Sequence, residues 1–306
     1  MRLVADVGGT NCRLALARDG RLLPGSLKVY RNVEWDSLDH AIRDYLDTRD
    51  QEPIFEMVIA IAGPVQGERA HLTNWHWRIE TSALKRKFDV PRAYLLNDLT
   101  ALGHSVPGLK AQQLREVRAG EPPERDVSQS LVVGIGTGFN LSPVFQRGGA
   151  TMVAAVEAGH VGLGMAVSQG LGAAGVSPTR FPTVEHLFSG RGFTSFCRQL
   201  TGNDRLRGDE VMELYGSSAA EDLTRAIDIY AGLLGWHLRD LLLGYQPYAG
   251  VYFAGSVARA VMTHAAAATL EVVDRPDDLR RGVEVPFWVI EDDGAALNGC
   301  AQFEIA

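Results

Sequence analysis

Leu3-Val4-Ala5-Asp6-Val7-Gly8-Gly9-Thr10-Asn11 opens the chain, and a similar stretch, Leu131-Val132-Val133-Gly134-Ile135-Gly136-Thr137-Gly138, begins at residue 131. Each stretch is a short apolar run followed by a turn that contains glycine and threonine. A second strand is predicted after each turn, so both stretches predict a β-hairpin. Any two hairpins look alike over eight residues. Two matched hairpins at the starts of two domains, however, predict two related lobes that face each other across a cleft.

The composition is ordinary except for an excess of glycine. A chain of 306 residues makes two domains the expectation. Glycine contributes 33 of these residues, or about 11%, against an average near 7%. Only 13 residues are proline and no glycine period occurs, which excludes collagen-like and low-complexity chains. The excess predicts tight turns or places where the backbone closely approaches a ligand.

The charge balance and the cysteine spacing exclude several classes of protein. The formal net charge is -7, and the densest basic run is the short Lys85-Arg86-Lys87, which argues against a nucleic-acid partner. Cys12, Cys197 and Cys300 lie far apart, as in proteins of a reducing cytosol. No run of about 18 apolar residues predicts a membrane span, and Asp6 interrupts the place where a signal peptide is apolar. We therefore expect a cytoplasmic protein without a membrane or nucleic-acid partner.

Predicted helices and strands alternate along the rest of the chain. Apolar spacing predicts helices at 35–45, 81–88, 209–215 and 222–243 and from residue 295. Short apolar runs predict strands at 57–62, 94–96, 250–254 and 287–290. Residues 109–130 have little apolar periodicity and contain Pro122-Pro123, so they are predicted to cross from one domain to the other.

Asp6-Val7-Gly8-Gly9-Thr10-Asn11 is a candidate phosphate-binding turn. Glycines in a hairpin turn let backbone N–H groups point at an anion, because no Cβ stands in the way. A carboxylate on the adjoining strand can hold Mg²⁺, which keeps several of its waters in protein sites. The alternative, that Gly8-Gly9 forms a plain turn, stays open at this point.

The second glycine turn does not fit two familiar nucleotide motifs. The dinucleotide-binding pattern has a glycine where Phe139 stands and a helix next, whereas residues 141–145 are not helix-like. The lysine of the P-loop is also missing after these glycines. A dehydrogenase and a P-loop NTPase are therefore not expected.

Asn97-Asp98 follows the apolar strand Tyr94-Leu95-Leu96. Sites of α/β proteins gather at the carboxyl ends of strands, where a kinase needs a base to deprotonate a hydroxyl. The alternative is that Asp98 only caps a helix that begins near Leu99.

Glu157-Ala158-Gly159-His160 and Glu185-His186 add two carboxylates and two imidazoles. Gly159 and Gly162 argue against a helix that would make the first group a metal site. Carboxylates, an amide and an imidazole together can hydrogen-bond sugar hydroxyls, although such residues are most often plain surface residues.

With these residues assembled, the chain resembles the bacterial glucokinases of the hexokinase/actin-like ATPase superfamily over essentially its whole length. The motifs that carry the resemblance are Asp6-Val7-Gly8-Gly9-Thr10-Asn11, Ala62-Gly63-Pro64-Val65, Leu72-Thr73-Asn74, Leu96-Asn97-Asp98, Gly134-Ile135-Gly136-Thr137-Gly138, Glu157-Ala158-Gly159-His160-Val161, Glu185-His186-Leu187-Phe188-Ser189-Gly190 and Phe253-Ala254-Gly255. The resemblance implies an α/β, two-lobed actin-like ATPase (ribonuclease H-like) fold, with duplicated β-meander/α units around a central cleft. It implies a small lobe of residues 1–108 and 294–306 and a large lobe of residues 109–293.

The resemblance also implies roles for individual residues. The residues that match the glucose-binding set are Asn97, Asp98, Glu157, His160 and Glu185, and Asp98 matches the catalytic base that acts on the 6-hydroxyl. The residues that match the ATP-binding loops are Asp6, Gly8, Gly9, Thr10, Gly136, Thr137, Gly138 and Gly255, with Asp6 as the Mg²⁺ contact. The implied protein is an ATP-dependent glucokinase of glycolysis and a homodimer.

Two other functions stay open at this stage. One is a kinase of the same fold that acts on another hexose or an anhydrosugar, and the other is a sugar-binding regulator with weak or no kinase activity. Related repressors carry a DNA-binding helix-turn-helix before the first strand, and related zinc-containing proteins carry a compact cysteine cluster. Neither feature is expected here. ADP and polyphosphate stay open as donors besides ATP.

The sequence departs from the family pattern in two loops. Relatives usually continue the second phosphate loop with Leu-Gly where this chain has Phe139-Asn140, and Pro143 removes an N–H from the strand that follows. Asn140 is expected in a turn with positive φ, which asparagine tolerates. Ser256 replaces the second glycine of the adenosine loop. These departures predict an intact sugar site and an altered nucleotide site.

Overall fold

The computed structural model describes residues 1–48, 53–72, 75–121, 126–208, 210–217, 220–276 and 284–304. The strands are, in chain order, β1 (Arg2–Val7), β2 (Asn11–Arg18), β3 (Arg21–Leu22), β4 (Lys28–Arg31), β5 (Glu56–Ile61), β6 (Val65–Gln66), β7 (Arg69–His71), β8 (Arg78–Glu80), β9 (Arg92–Asn97), β10 (Leu114–Arg118), β11 (Ser128–Ile135), β12 (Phe139–Arg147), β13 (Ala150–Val153), β14 (Gly250–Ala254) and β15 (Phe287–Ile290). The helices are α1 (Leu38–Asp47), α2 (Thr81–Phe88), α3 (Asp98–Ser105), α4 (Met165–Ala173), α5 (Val184–Phe188), α6 (Gly190–Thr201), α7 (Glu210–Glu213), α8 (Glu221–Tyr245), α9 (Ser256–His264), α10 (Ala266–Val273) and α11 (Ala295–Gln302).

These elements divide into two compact units. The first unit comprises Met1–Leu109, Ala150–Ala155 and Asp292–Ala306, and the second comprises Lys110–Gly149 and Val156–Glu291. Three sequence features fall wholly or partly outside the described residues, namely Pro122-Pro123, the Thr73-Asn74 part of the Leu72-Thr73-Asn74 motif and Asp209, the first residue of the helix predicted at 209–215. Within the described residues, no helix is long and apolar enough to cross a membrane.

The sheet of the first unit is organised around β1. This strand pairs antiparallel with β2 and parallel with β5, which in turn pairs parallel with β9. Leu3, Ala5 and Val7 share one core with residues of α1, whereas Val4 shares another with residues of α3 and α11. Because successive side chains of a strand point to opposite faces, a strand covered on both faces is apolar throughout. This explains the continuous apolar run that opens the chain.

The second unit repeats this strand arrangement. β11 pairs antiparallel with β12 and parallel with β14, and β14 pairs parallel with β15. Thus β11, β12, β14 and β15 correspond in turn to β1, β2, β5 and β9. The prediction of two related hairpins is confirmed, and the likeness extends from two strands to four.

The stretch predicted to cross between domains contains a strand. β10 pairs antiparallel with β15 at the edge of the second sheet. The boundary between the two units falls after Leu109, at the start of this stretch, and β10 already belongs to the second unit. Because Arg115, Glu116 and Arg118 are charged, β10 lacks the alternation of apolar and polar residues that predicts a strand. Arg115 forms an ion pair with Glu291, and Arg118 forms one with Asp274.

The long predicted helix is central to the second unit. α8 spans Glu221–Tyr245, and Tyr230, Leu234 and Leu238 on it are fully buried. In the first unit, α11 packs against α3 so closely that no side chain fits at Gly299. A Cβ on Gly299 would lie 1.7 Å from the carbonyl oxygen of Ala101.

We expect Gly299→Ala to lower the free energy of unfolding by about 3 kcal/mol or more, because α11 would have to move away from α3. Gly172→Ala in α4 is the matched control, since a Cβ on Gly172 has nothing within 4 Å. Alanine there should raise the free energy of unfolding by up to about 1 kcal/mol, because glycine is a poor helix former. Urea unfolding followed by circular dichroism measures both changes, and equal stability of the two variants would contradict the close contact.

Candidate functional site

The first glycine turn, residues 8–10, joins β1 to β2 and is tied back by its own polar groups. The N–H of Gly8 donates to the carbonyl of Asn11 at 2.9 Å. The buried Asn32 donates through Nδ2 to the carbonyl of Gly8 at 2.8 Å, and its N–H donates to the carbonyl of Thr10 at 2.9 Å. Thr10 itself is exposed. Asn32 therefore fixes the backbone of the turn, while Thr10 remains accessible.

Asp6 is a buried carboxyl that forms an ion pair with Arg13. Its Oδ2 accepts a hydrogen bond from Nη1 of Arg13 at 3.0 Å, and the two residues are opposite each other in the β1–β2 hairpin. Burial raises the pKa of Asp6, and Arg13 offsets part of that rise.

The residues around Asp6 fit an Mg²⁺ ion that keeps several waters better than one that is coordinated by protein groups alone. In the described part of the chain, no group of three His, Cys, Asp or Glu side chains could hold a metal ion. Mg²⁺ keeps several waters and is usually bound by one or two carboxylates together with phosphate oxygens of a substrate. A single carboxylate beside a turn with an accessible backbone has the right chemistry for such a contact.

Asn97 and Asp98 lie where β9 passes into α3. Oδ1 of Asn97 accepts a hydrogen bond from the N–H of Leu99 at 3.0 Å, and its Nδ2 donates to the carbonyl of Gly63 at 3.2 Å. Oδ1 of Asp98 also accepts from the N–H of Leu99, at 2.9 Å. Asn97 is the residue at the capping position, so capping alone does not account for Asp98.

The surroundings of Asp98 raise its pKa to about 6. Burial is the larger cause, and the neighbouring carboxyl of Asp6 is the second. Hydrogen bonds from the N–H of Leu99 and from the side chain of Asn97 offset part of the rise. A carboxyl with this pKa is mostly ionised at neutral pH and accepts a proton more readily than an ordinary aspartate.

In the second unit three loops meet through backbone atoms. The carbonyl of Gly136, in the turn between β11 and β12, accepts a hydrogen bond from the N–H of Gly190 at 2.7 Å. A Cβ on Gly136 would lie 3.8 Å from the Cα of Gly255. Gly255 precedes α9 with φ +91°, and a Cβ there would lie 2.4 Å from the carbonyl oxygen of Ile135. Glycine is required at Gly255 both by its φ and by this close approach.

Glu157, His160 and Glu185 come together near the start of β12. Glu157 precedes a single 3-10 turn that ends at His160, and both side chains are exposed. A Cβ on Gly159, within this turn, would lie 3.3 Å from the Cβ of Glu185. Oε2 of Glu185 accepts a hydrogen bond from the N–H of Phe139 at 3.2 Å. The structure thus groups the three predicted sugar contacts of this unit, next to the glycine turn.

Phe139 and Asn140 lie in β12, after the glycine turn. The ring of Phe139 is buried in the core of the second unit, with centroids 6.3 Å from Phe188 and 5.4 Å from His237. Asn140 lies within β12 opposite Gly134. The expectation of a positive φ at Asn140 is wrong, because strand pairing keeps its backbone extended and the described positive-φ residues do not include it.

The other two departures lie in regular structure. Pro143 lies within β12, opposite Leu131 of β11. Ser256 is the first residue of α9, directly after Gly255.

Sequence reasoning missed several residues that shape these sites. Arg13 could have been found, because the register of a hairpin closed by residues 8–11 places it opposite Asp6. Asn32 gave no signal, since its partner Gly8 is 24 residues away along the chain. Gly190 was recognised only as the last residue of the motif 185–190, and its bond to Gly136, 54 residues away, was not predicted. Asn140 was noticed only as a missing glycine, although its side chain bonds residues 156–158.

Comparisons of the sequence with known proteins point to one family. A family model described as glucokinase matches residues 3–305. A glucokinase from Chromobacterium violaceum is 31% identical over 263 residues, which cover 84% of this chain and 75% of that protein. A glucokinase from Pectobacterium atrosepticum is 27% identical over 98% of this chain and 96% of its own length.

Solved structures share the fold. The crystal structure of a glucokinase from an Antarctic psychrotroph has a TM-score of 0.84 at 23% identity and covers 98% of this chain and 97% of its own. A ROK family glucokinase from Streptomyces griseus, solved with glucose and AMPPNP, has a TM-score of 0.62 at 17% identity and covers 98% of both chains. These likenesses confirm the actin-like α/β fold predicted from the sequence.

Arg13→Met would leave the carboxylate of Asp6 buried without its charged partner. We expect the free energy of unfolding to fall by about 2 kcal/mol at pH 8. The loss should be smaller at pH 5. The pKa of Asp6 is already raised in the folded state, and removal of Arg13 raises it further, so protonation at lower pH relieves the cost.

Arg31→Met on β4 is the matched control for this experiment. The Arg31 side chain is 68% exposed and 3.9 Å from Glu34, and such surface pairs contribute less than about 1 kcal/mol. Chemical unfolding at both pH values gives the comparison. A loss for Arg13→Met that is the same at pH 5 and pH 8 would contradict the assigned partnership.

Proposed function

Because the chain belongs to the glucokinase family, we propose that this sugar kinase transfers the γ-phosphoryl group of ATP to the 6-hydroxyl of glucose, with Asp98 as the general base. We base the role of Asp98 on one observation, its position at the end of β9 with a pKa raised to about 6. A base whose pKa lies slightly below the working pH is ionised and still accepts a proton effectively.

The proposed chemistry is an in-line displacement at phosphorus. The oxygen of the 6-hydroxyl forms a bond to the γ-phosphorus while its proton passes to the carboxylate of Asp98. The bond from the γ-phosphorus to the bridging oxygen breaks, and that oxygen leaves with ADP. Asn97 would hold the start of α3, and thereby Asp98, in a fixed orientation through its bonds to Leu99 and Gly63.

Sugar binding would use carboxylates, an amide and an imidazole. Glu157 and Glu185 would accept hydrogen bonds from sugar hydroxyls, and His160 and Asn97 could donate or accept. Such contacts fix the reacting oxygen relative to the base and the phosphorus. Positioning of this kind supplies much of the acceleration in phosphoryl transfer.

Nucleotide binding would use backbone groups of the glycine turns. Gly8, Gly9 and Thr10 in the first unit, and Gly136, Thr137 and Gly138 in the second, are proposed to face the phosphates. Gly255 is proposed to lie against the adenosine. Asp6 would hold Mg²⁺ through water, and Mg²⁺ when bound neutralises charge on the transferred phosphate. The homodimer, the cytoplasmic location and the place in glycolysis stay predictions.

Asp98→Asn keeps the size of the side chain but removes the base. We expect kcat with glucose to fall about 10²- to 10⁴-fold, whereas the Kd for glucose changes by less than about tenfold. An assay coupled to ADP release measures kcat with MgATP, and calorimetry measures Kd. Asp47→Asn, on the exposed side of α1, is the matched control and should leave both unchanged.

The same assay over glucose, other hexoses and an anhydrosugar tests the acceptor. An unchanged kcat in Asp98→Asn would remove Asp98 from its role. Turnover only with another sugar would replace glucose as the substrate. Glucose binding without ADP release would favour a regulator instead of a kinase.

The raised pKa of Asp98 predicts the pH dependence of the reaction. Asp98 is a base only when ionised, so kcat/KM for glucose should be level at high pH and fall as pH drops below about 6. Initial rates between pH 4.5 and 8.5, with folding checked at each pH, give the profile. A level profile down to pH 5 would contradict the assignment of Asp98 as the titrating base.

A further inference from the structure

Asn140 binds a short segment of backbone with both ends of its amide. Its Nδ2 donates to the carbonyl of Val156 at 2.7 Å and to Oε2 of Glu157 at 3.3 Å. Its Oδ1 accepts from the N–H of Ala158 at 3.0 Å and from the N–H of Leu141 at 2.9 Å. A primary amide has two donor hydrogens and two acceptor lone pairs, and the four contacts use all of them.

The preceding residue makes the corresponding contact to the second carboxylate. The N–H of Phe139 donates to Oε2 of Glu185 at 3.2 Å. Two consecutive residues of β12 therefore hold Glu185 and Glu157. Because β12 begins directly after the turn at residues 136–138, and Asn140 pairs with Gly134 before that turn, the strand connects the turn to both carboxylates.

We propose that Asn140 is a positioning residue that orients the carboxylate of Glu157 toward the sugar, an inference that rests on the sugar contact in the proposed function. The Glu157 side chain is exposed, and within the described part of the chain Asn140 is its one hydrogen-bond donor. Without that donor, the carboxylate would sample several rotamers and lose this freedom only on binding, which weakens affinity.

Only an amide satisfies this arrangement. An aspartate at this position keeps the acceptor for Ala158 and Leu141 but turns an oxygen toward the carbonyl of Val156 and the carboxylate of Glu157. Like charges at such a separation repel. An alanine offers neither donor nor acceptor, and it adds no charge.

The test compares Asn140→Asp and Asn140→Ala with wild type in the full chain. We expect the KM and the calorimetric Kd for glucose to rise about tenfold in Asn140→Asp and somewhat less in Asn140→Ala, as for the loss of one well-placed hydrogen bond. In Asn140→Ala, which carries no new charge, kcat and the KM for ATP should stay within about threefold of wild type. General loss of folded protein would lower the apparent kcat without raising the KM for glucose.

Gln146→Glu is the matched control, since it makes the same amide-to-carboxylate change on β12 opposite Ser128. It should leave the KM for glucose unchanged. If Asn140→Asp does not fold, the KM and Kd of Asn140→Ala for glucose are sufficient to test the proposal.

An unchanged KM for glucose in both Asn140 variants, or equal losses for glucose and ATP, would overturn the role of Asn140 while the kinase assignment stands. Wild type that neither binds glucose nor releases ADP with it would overturn the proposed function, and the inference with it.

Discussion

The hydrogen bond from the N–H of Gly190 to the carbonyl of Gly136, at 2.7 Å, is the contact on which the second unit's part of the site depends. It joins the start of α6 to the turn after β11. Ser189, one residue earlier, caps α6 and ends α5, so this contact also fixes the helix that carries Glu185. A side chain at Gly255 would push these loops apart, since a Cβ there would lie 2.4 Å from the carbonyl oxygen of Ile135. Glycine is therefore used here for contact between loops as well as for turning the chain.

In the first unit the corresponding constraint is electrostatic. Asp6 and Asp98 are both buried enough for their pKa values to be raised, and Asp6 is a cause of the rise at Asp98. Among the described residues, Arg13 pairs with Asp6 and no basic side chain pairs with Asp98, so only Asp6 has a direct counter-charge. The carboxyl with a direct counter-charge, Asp6, is the one proposed to hold Mg²⁺. The carboxyl without one suits a group that gains and loses a proton.

Features with a local signal could be predicted from the sequence, and features that depend on distant partners could not. The hairpins, α2 over Thr81–Phe88 and β14 over Gly250–Ala254 follow from apolar spacing and glycine turns. β10 was missed because its charged residues conceal the alternation, and because its partner β15 is more than 150 residues away. The predicted site residues Asn97 and Asp98 lie together because they are adjacent in the sequence. The contacts of Asn140 with residues 156–158 join positions 16 to 18 residues apart, so local composition does not indicate them.

The contact between α11 and α3 has a consequence for the order in which the molecule is completed. Leu297, Cys300 and Ala301 of α11 belong to the core that contains Val4, and Arg2 donates to the carbonyls of Cys300 and Ala301. α3 begins with Asp98, so one of the two helices of this pair carries the proposed base. During translation, residues 1–109 are synthesised long before α11. The core behind Asp98 thus stays open on one face until α11 has been made, whereas the second unit ends at Glu291, before α11.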